Sequence, residues 1–301
     1  MTLRRLAGFT AGLGAVAIAG AAIEANAYRV VNHDVTLPPR GKPLRLRVLH
    51  LSDTHYQRGQ RAKAAFLESL TDLRPDMVVF TGDMVADDDG VDEFLDAIAG
   101  LLLLPGVFVR GSNDYFAPRR VNPLSYLVGG PRRRLPKLRR LRWQHLTNVL
   151  VDAGWHDVDN AIATVELPNL TVMVRGTDDA HIRRDIYIPG GDSGADLLLG
   201  VTHAPYRRVL AAMAADGVSL ALAGHTHGGQ ICLPGIGALV TNCDLPPSLA
   251  KGLFMWPDAD PGASPSQVGL QVHVTGGVGA SPGFPLRAFC RPEACLLKIH
   301  G

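Results

Sequence analysis

Cysteine is scarce in this chain and confined to one end: Cys232, Cys243, Cys290 and Cys295 all lie in the last third of the 301 residues. Nothing upstream can build a thiolate cluster, and Cys290-x4-Cys295 is poorly spaced for a zinc knuckle, which argues against a structural zinc module. An even number of thiols allows two disulfides in an exported protein and is equally ordinary in a reduced one, so the compartment stays open. Charged residues are also sparse, at 19% against 47% hydrophobic, which excludes a disordered chain and leaves enough apolar material for a substantial core. No internal repeat is apparent, and a single large α/β domain accommodates this length.

Two stretches lack something locally. Residues 6–23 contain no charge; they follow Arg4-Arg5 and are rich in Ala and Gly. Such a run sits at the lower edge for a membrane-spanning helix. It also reads as the apolar part of a signal peptide, with Ala25-Asn26-Ala27 as a small-residue cleavage site near Ala27. Residues 1–28 are therefore expected to form a signal or anchor segment, retained as a hydrophobic helix at a membrane or removed on export. Basic residues lie on both sides of the run, so orientation is open.

The second stretch lacks acid. Nine basic residues and no acidic one lie from Arg119 to Arg142, while the remainder carries 21 basic against 28 acidic residues, a net −7 under an overall charge of +2. Pro118, Pro123, Gly129, Gly130, Pro131 and Pro136 make this a loop-like insertion, residues 117–145. It reads as a solvated basic loop or as a rim that attracts an anion: a phosphorylated small-molecule or lipid substrate, or acidic head groups at a membrane surface. Interleaved Leu124, Tyr126, Leu127, Leu135, Leu138, Leu141 and Trp143 favour a lipid-touching element, and nucleic acid is not expected as a partner.

What is abundant is a particular kind of strand end. The apolar run Leu220-Ala221-Leu222-Ala223 leads straight into Gly224-His225-Thr226-His227-Gly228-Gly229. Two imidazoles at i and i+2, in a glycine loop that can turn tightly, are placed to meet a metal ion. Four more runs end alike. Residues 44–52 end in Asp53-Thr54-His55, Asp76-Met77-Val78-Val79-Phe80 in Thr81-Gly82-Asp83, Gly106-Val107-Phe108-Val109-Arg110 in Gly111-Ser112-Asn113-Asp114, and residues 195–201 in Thr202-His203. In open α/β sheets function gathers beyond the carboxyl ends of the strands, so the five ends predict one convergent site.

This ordered set, Asp-x-His, Gly-Asp, a Gly-Asn-His-Asp-like element, a lone His and Gly-His-x-His, resembles the calcineurin-like metallophosphoesterase superfamily over residues 44–300. The resemblance implies an α/β fold, a four-layer αββα sandwich of two mixed β-sheets flanked by helices. It also implies two divalent metal ions: Asp53, His55 and His227 would hold one, His203 and His225 the other, and Asp83 would bridge them. Carboxylate, imidazole and amide donors suit manganese, iron or zinc. The implied activity is hydrolysis of a phosphate ester or phosphoanhydride by attack of a metal-bound hydroxide, as in a phosphodiesterase or phosphatase. The alternative is a catalytically weakened binding or scaffold protein on the same fold.

The third element departs from the pattern. Aligned without a gap, Ser112 stands where the family has a metal-binding Asn, and Asn113 where it has the His that assists the leaving group. Either the loop shifts so that the Asn113 carbonyl oxygen reaches the second ion, or that ion has fewer protein ligands. The shift is favoured because a serine hydroxyl ligates poorly unless deprotonated. Asn113 and Asp114 are the catalytic candidates here, Asp114 orienting a water or Asn113, or else capping the turn. Loss of an imidazole acid, typically worth about 10²–10⁴-fold, favours good leaving groups. His181 is the best substitute acid. Arg175 and Asn242 are candidates for the cleft, whereas His33, His50, His145, His156, His273 and His300 are read as structural.

Overall fold

The computed structural model describes residues 14, 16–118, 138–191, 194–256 and 269–301. The expected segments 1–28 and 117–145 therefore fall partly outside the described residues. Short apolar runs with period-two alternation become strands buried on both faces. The first sheet is ordered β1 (Arg29–Thr36), β14 (Glu293–His300), β2 (Arg45–Leu51), β3 (Met77–Thr81), β4 (Gly106–Val109) and β5 (His156–Asp157). The second is ordered β12 (Gly252–Trp256), β13 (Leu270–Val274), β9 (Leu220–Ala223), β8 (Leu197–Thr202), β7 (Thr171–Thr177) and β6 (Ile162–Glu166), and β10 (Cys232–Leu233) pairs with β11 (Gly237–Ala238) in a short antiparallel ribbon. Both main sheets are mixed. β2 to β5 run parallel, as do β7, β8, β9 and β13, while β14 is antiparallel to β2 and β6 and β12 are antiparallel to their neighbours.

Alternate residues of each strand go to different layers. Val48, Val79 and Val109 point between the sheets and meet Val174, Leu199, Val201 and Leu222. Their neighbours Leu49, Leu51, Phe80 and Phe108 point outward, under helices Arg61–Ser69, Val91–Ala97 and Trp143–Asp152, which supply Leu67, Phe94, Leu146 and Leu150. On the far side Leu198, Ala221 and Val272 are covered by Val209, Leu210 and Met213 of helix Arg207–Ala215. The result is the expected four-layer αββα sandwich. Each fully buried Val, Leu or Phe contributes roughly 1.5–3 kcal/mol of apolar transfer, so three apolar layers hold the sheets rigidly enough to aim side chains at their ends.

Residues 16–24 are helical, with Val16, Ile18 and Ile23 exposed. The end of this helix is tied down: Arg287 N–H donates to the Ala21 carbonyl, and the backbone N–H groups of Phe289 and Cys290 donate to the Glu24 carboxylate. Among the described residues no helix is long and apolar enough to cross a membrane. Beyond residue 137 the basic segment meets an acidic turn, with Arg139 pairing with Asp88 at 2.8 Å and Arg142 N–H donating to Asp88 at 2.7 Å.

Candidate metal centre

The carboxyl ends of β2, β3, β4, β8 and β9 deliver Asp53 and His55, Asp83, Asn113, His203, and His225 and His227 to one place. Their backbone is unusual. Among the described residues eleven non-glycine residues have positive φ, and Asp53, His55, Asp83, His225 and His227 are five of them, at 51°, 42°, 53°, 69° and 51°. Left-handed backbone at a side-chain-bearing residue is unfavourable and persists where surrounding structure enforces it, commonly at functional sites. Here it turns each chain sharply as it leaves the sheet.

The carboxylates occupy the middle. Asp53 is fully buried; its Oδ2 accepts from Ser52 Oγ at 2.6 Å and His225 N–H at 2.8 Å. Its Oδ1 has no hydrogen-bond partner and lies 3.6 Å from His227 Nε2 and 3.9 Å from His55 Nε2. Asp83 Oδ2 lies 3.6 Å from both His55 Nε2 and His203 Nε2, between the two halves of the cluster.

Three of the imidazoles are oriented from behind. His203 Nδ1 meets the Thr81 carbonyl at 2.6 Å, His225 Nε2 the Asn242 carbonyl at 3.2 Å, and His227 Nδ1 the Gly279 carbonyl at 3.1 Å. Each carbonyl fixes its ring from behind and turns the other ring nitrogen inward, and His227 Nδ1 also lies 3.3 Å from Arg287 Nη2. This outer hydrogen bond is the arrangement that prepares a histidine to bind a metal. The inward nitrogens crowd together: His55 and His227 Nε2 are 3.2 Å apart, and His225 Nδ1 is 3.3 Å from His203 Nε2.

Titration follows from burial. His55 and His225 are held well below the ordinary range by desolvation, with His227 and His181 respectively adding to the effect, and desolvation brings His227 down to about 4. Burial pushes the Asp83 carboxyl up to about 7, reinforced by Asp53, Asp114 and Asp179 and opposed by His203. For His203, burial favours the neutral ring, but Asp83, Asp179 and Asp53 outweigh it and raise it to about 10. Crowded carboxylates, with His203 as their charged partner and His55, His225 and His227 held neutral beside them, form a site whose remaining negative charge a cation would offset.

In the third element Asn113 meets the cluster through Asp83. Its backbone N–H donates to Asp83 Oδ1 at 2.8 Å and its side-chain amide to Oδ2 at 2.7 Å. Asp114 is turned away from the cleft. Fully buried, it accepts from Asp83 N–H and Met84 N–H at 2.8 Å and from Gly111 N–H at 2.9 Å, so it braces the two loops that carry Asp83 and Asn113.

Several residues outside these motifs complete the site. The His181 ring packs against His225 with centroids 4.4 Å apart. Asp179 is buried beside His203, and burial raises its carboxyl to about 6. Arg287, also fully buried, donates to the carbonyls of His227, Gly276, Gly277, Gly279 and Cys290 and so shapes the loop that presents His227. Nothing in the local sequence marks Arg287, because its partners, mostly backbone carbonyls with the His227 ring and the Cys290 sulfur besides, come from three separate loops. Arg175, in contrast, is not a cleft residue: it is buried, paired with Asp216 and bonded to the Gly191 carbonyl. His50 is a core residue bonded to His273 and Thr81 at 2.9 Å, and His145 pairs at the surface with Asp92. All four cysteines are unbridged.

The donors suit a metal pair. Asp53, His55 and His227 form one set and Asp53, Asp83 and His203 another, each with its ligand atoms within 4.8 Å of one another. A buried carboxylate oxygen without a partner, such as Asp53 Oδ1, is costly unless a cation meets it. A family model described as calcineurin-like phosphoesterase matches residues 46–229, which include every one of these motifs. A search of curated proteins finds no significant match. Similar solved structures include the NAD nucleotidase of Haemophilus influenzae, at 12% identity and TM-score 0.46, covering 82% of this chain and 49% of that one. Another is a dimetal phosphatase from Danio rerio, at 14% identity and TM-score 0.39, covering 80% of this chain and 90% of that one. A third is a purple acid phosphatase from yellow lupin seeds, at 13% identity and TM-score 0.37, covering 64% of this chain and 39% of that one.

Proposed function

The chain belongs to the calcineurin-like phosphoesterases, and from that premise we propose that it is a dinuclear metal-dependent hydrolase of phosphate esters or anhydrides that works at a membrane surface. The observation that carries the reading is the buried, unpartnered Asp53 Oδ1 facing two imidazoles, beside an Asp83 carboxylate that reaches both halves of the cluster. A pair of divalent ions, manganese, iron or zinc by the donor set, would polarise a phosphoryl oxygen and acidify a water.

The residues divide the remaining work. Asp53, His55 and His227 would hold one ion and His203, His225 and Asn113 the other, with Asp83 shared. Asn113 has no proton of useful acidity, so departure of the leaving group falls to its own stability. Activated aryl phosphodiesters, phosphoanhydrides and strained cyclic diesters are the substrate classes that need least help. His181, whose ring packs tilted against His225, is the imidazole nearest to supplying a proton. For the membrane, support comes from the uncharged residues 6–23 and from the acid-free stretch downstream of the third motif.

The test is hydrolysis of an activated aryl phosphodiester by the purified protein with manganese. Turnover should require metal, and Asp83→Ala should lose it while circular dichroism shows the fold retained. Full activity in Asp83→Ala would defeat the shared-carboxylate reading, and tight metal binding without turnover on any of these esters would point to a scaffold.

A further inference from the structure

A second group of metal-seeking side chains lies between the sheets, away from the strand ends. β1, β13 and β14 bring together His33, His273 and Cys295, whose donor atoms all lie within 4.8 Å of one another. His273 and Cys295 are fully buried, while His33 is partly exposed. The His33 and His273 rings meet edge to face with centroids 4.7 Å apart.

His273 is held from one side only. Its Nδ1 lies 2.9 Å from His50 Nδ1, and His50 Nε2 in turn lies 2.9 Å from Thr81 Oγ1. The other nitrogen, His273 Nε2, is buried with no hydrogen-bond partner. Leaving such a group unmatched costs about 1–3 kcal/mol. A histidine anchored through one ring nitrogen while the other is bare has the form that ligates metals. Cys295 Sγ lies 3.5 Å from Thr275 Oγ1, which also accepts from Gly277 N–H.

We propose that His33, His273 and Cys295 form a mononuclear site for zinc or a similar borderline divalent cation, distinct from the strand-end centre, with water entering from the His33 side as fourth ligand. Two imidazoles and one thiolate suit such an ion, with bonds of about 2.0–2.1 Å to nitrogen and 2.3 Å to sulfur. His33, the least buried of the three, has the freedom to close the set. The ion ties edge strand β1 and strand β14 of one sheet to β13 of the other, adding a cross-link to the His50–His273 hydrogen bond and the Gln271 amide bond to the Thr36 carbonyl that already join the layers.

Cobalt is the probe, because a thiolate ligand gives it a near-ultraviolet charge-transfer band and the strand-end centre contains no sulfur. Titrating metal-free full-length protein with cobalt should produce that band. Cys295→Val, which keeps the volume and apolarity of the site, should abolish it while the protein still melts cooperatively. Cys232→Ala, Cys290→Ala and His225→Ala should leave it intact. His33→Ala, at a partly exposed position, should weaken the cobalt affinity read from the band by roughly tenfold or more. No band at stoichiometric cobalt, a band that survives Cys295→Val, or an affinity unchanged in His33→Ala would each overturn the assignment.

Discussion

Asn113 grips both oxygens of Asp83, its backbone N–H on Oδ1 at 2.8 Å and its side-chain amide on Oδ2 at 2.7 Å. In the proposed centre the carboxylate that would be shared is therefore oriented by Asn113, a positioning group where the resemblance places an acidic imidazole.

That replacement predicts a steep dependence on the leaving group. In a series of aryl and alkyl phosphodiesters, log kcat/KM for the wild type should fall sharply as the pKa of the leaving alcohol rises. Asn113→His restores a group able to protonate the departing oxygen and should flatten the slope, raising rates on the poorest leaving groups by up to about 10²-fold while leaving activated esters little changed. Equal slopes in the two proteins would show that position 113 does not face the leaving group.

Asp114 is predicted to matter through stability. Its carboxylate receives the N–H groups of Asp83, Met84 and Gly111 in the buried interior. Asp114→Ala strands all of them, and at about 1–3 kcal/mol for each unmatched buried group the loss should reach several kcal/mol, with metal affinity falling alongside. Urea unfolding under chelation checks the first part and calorimetric titration with manganese the second. A variant as stable as the wild type would remove Asp114 from its role as a brace.

Gly224 sits where β9 passes the base of the site. A methyl group there would collide with Ser52 Oγ and lie 2.5 Å from Asp53 Oδ2, the oxygen that receives His225 N–H. Gly224→Ala should thus displace Asp53 and lower metal affinity by about 10–100-fold, the range expected when support behind a ligand is disturbed. Since β9 itself is intact, far-ultraviolet circular dichroism should change little. Unaltered metal binding would mean that the Asp53 carboxylate tolerates the shift.

The strand ends were legible because the sequence wrote each of them twice, as an apolar run and as the polar cluster that ends it. Val78 and Phe80 announce β3 and Gly82-Asp83 its function within a few residues. Asn113 was legible as a departure from a pattern, but its grip on Asp83 depends on a loop conformation that no periodicity encodes. Asp179 and Arg287 were harder still. Arg287 acts through five backbone carbonyls drawn from distant loops. Arg175 misled for the complementary reason: a basic residue near a strand end resembles a phosphate clamp until Asp216, forty-one residues on, is seen to neutralise it.

Lys63 yields a prediction about pH. Its side chain is buried in helix Arg61–Ser69 with Nζ donating to the Thr54 carbonyl at 2.6 Å, directly behind the Asp-x-His loop. Desolvation, helped by Arg287, brings its pKa down from the ordinary 10.5 to about 7. At this group the unfolded chain therefore binds more protons than the folded one between about pH 7 and 10.5, so the lysine's own contribution to stability rises with pH across that window. Below pH 7 both states are protonated and the full penalty of the buried ammonium applies. Each unit of the window is worth roughly 1.4 kcal/mol at most. Lys63→Met removes the titration while leaving the Thr54 carbonyl equally short of a donor at every pH. The stability difference between variant and wild type should accordingly drift in favour of the wild type as pH is raised from 7 to 10. Urea melts in chelator at a series of pH values would measure it, and a difference that stays flat would mean that the lysine amine is not desolvated in the folded protein.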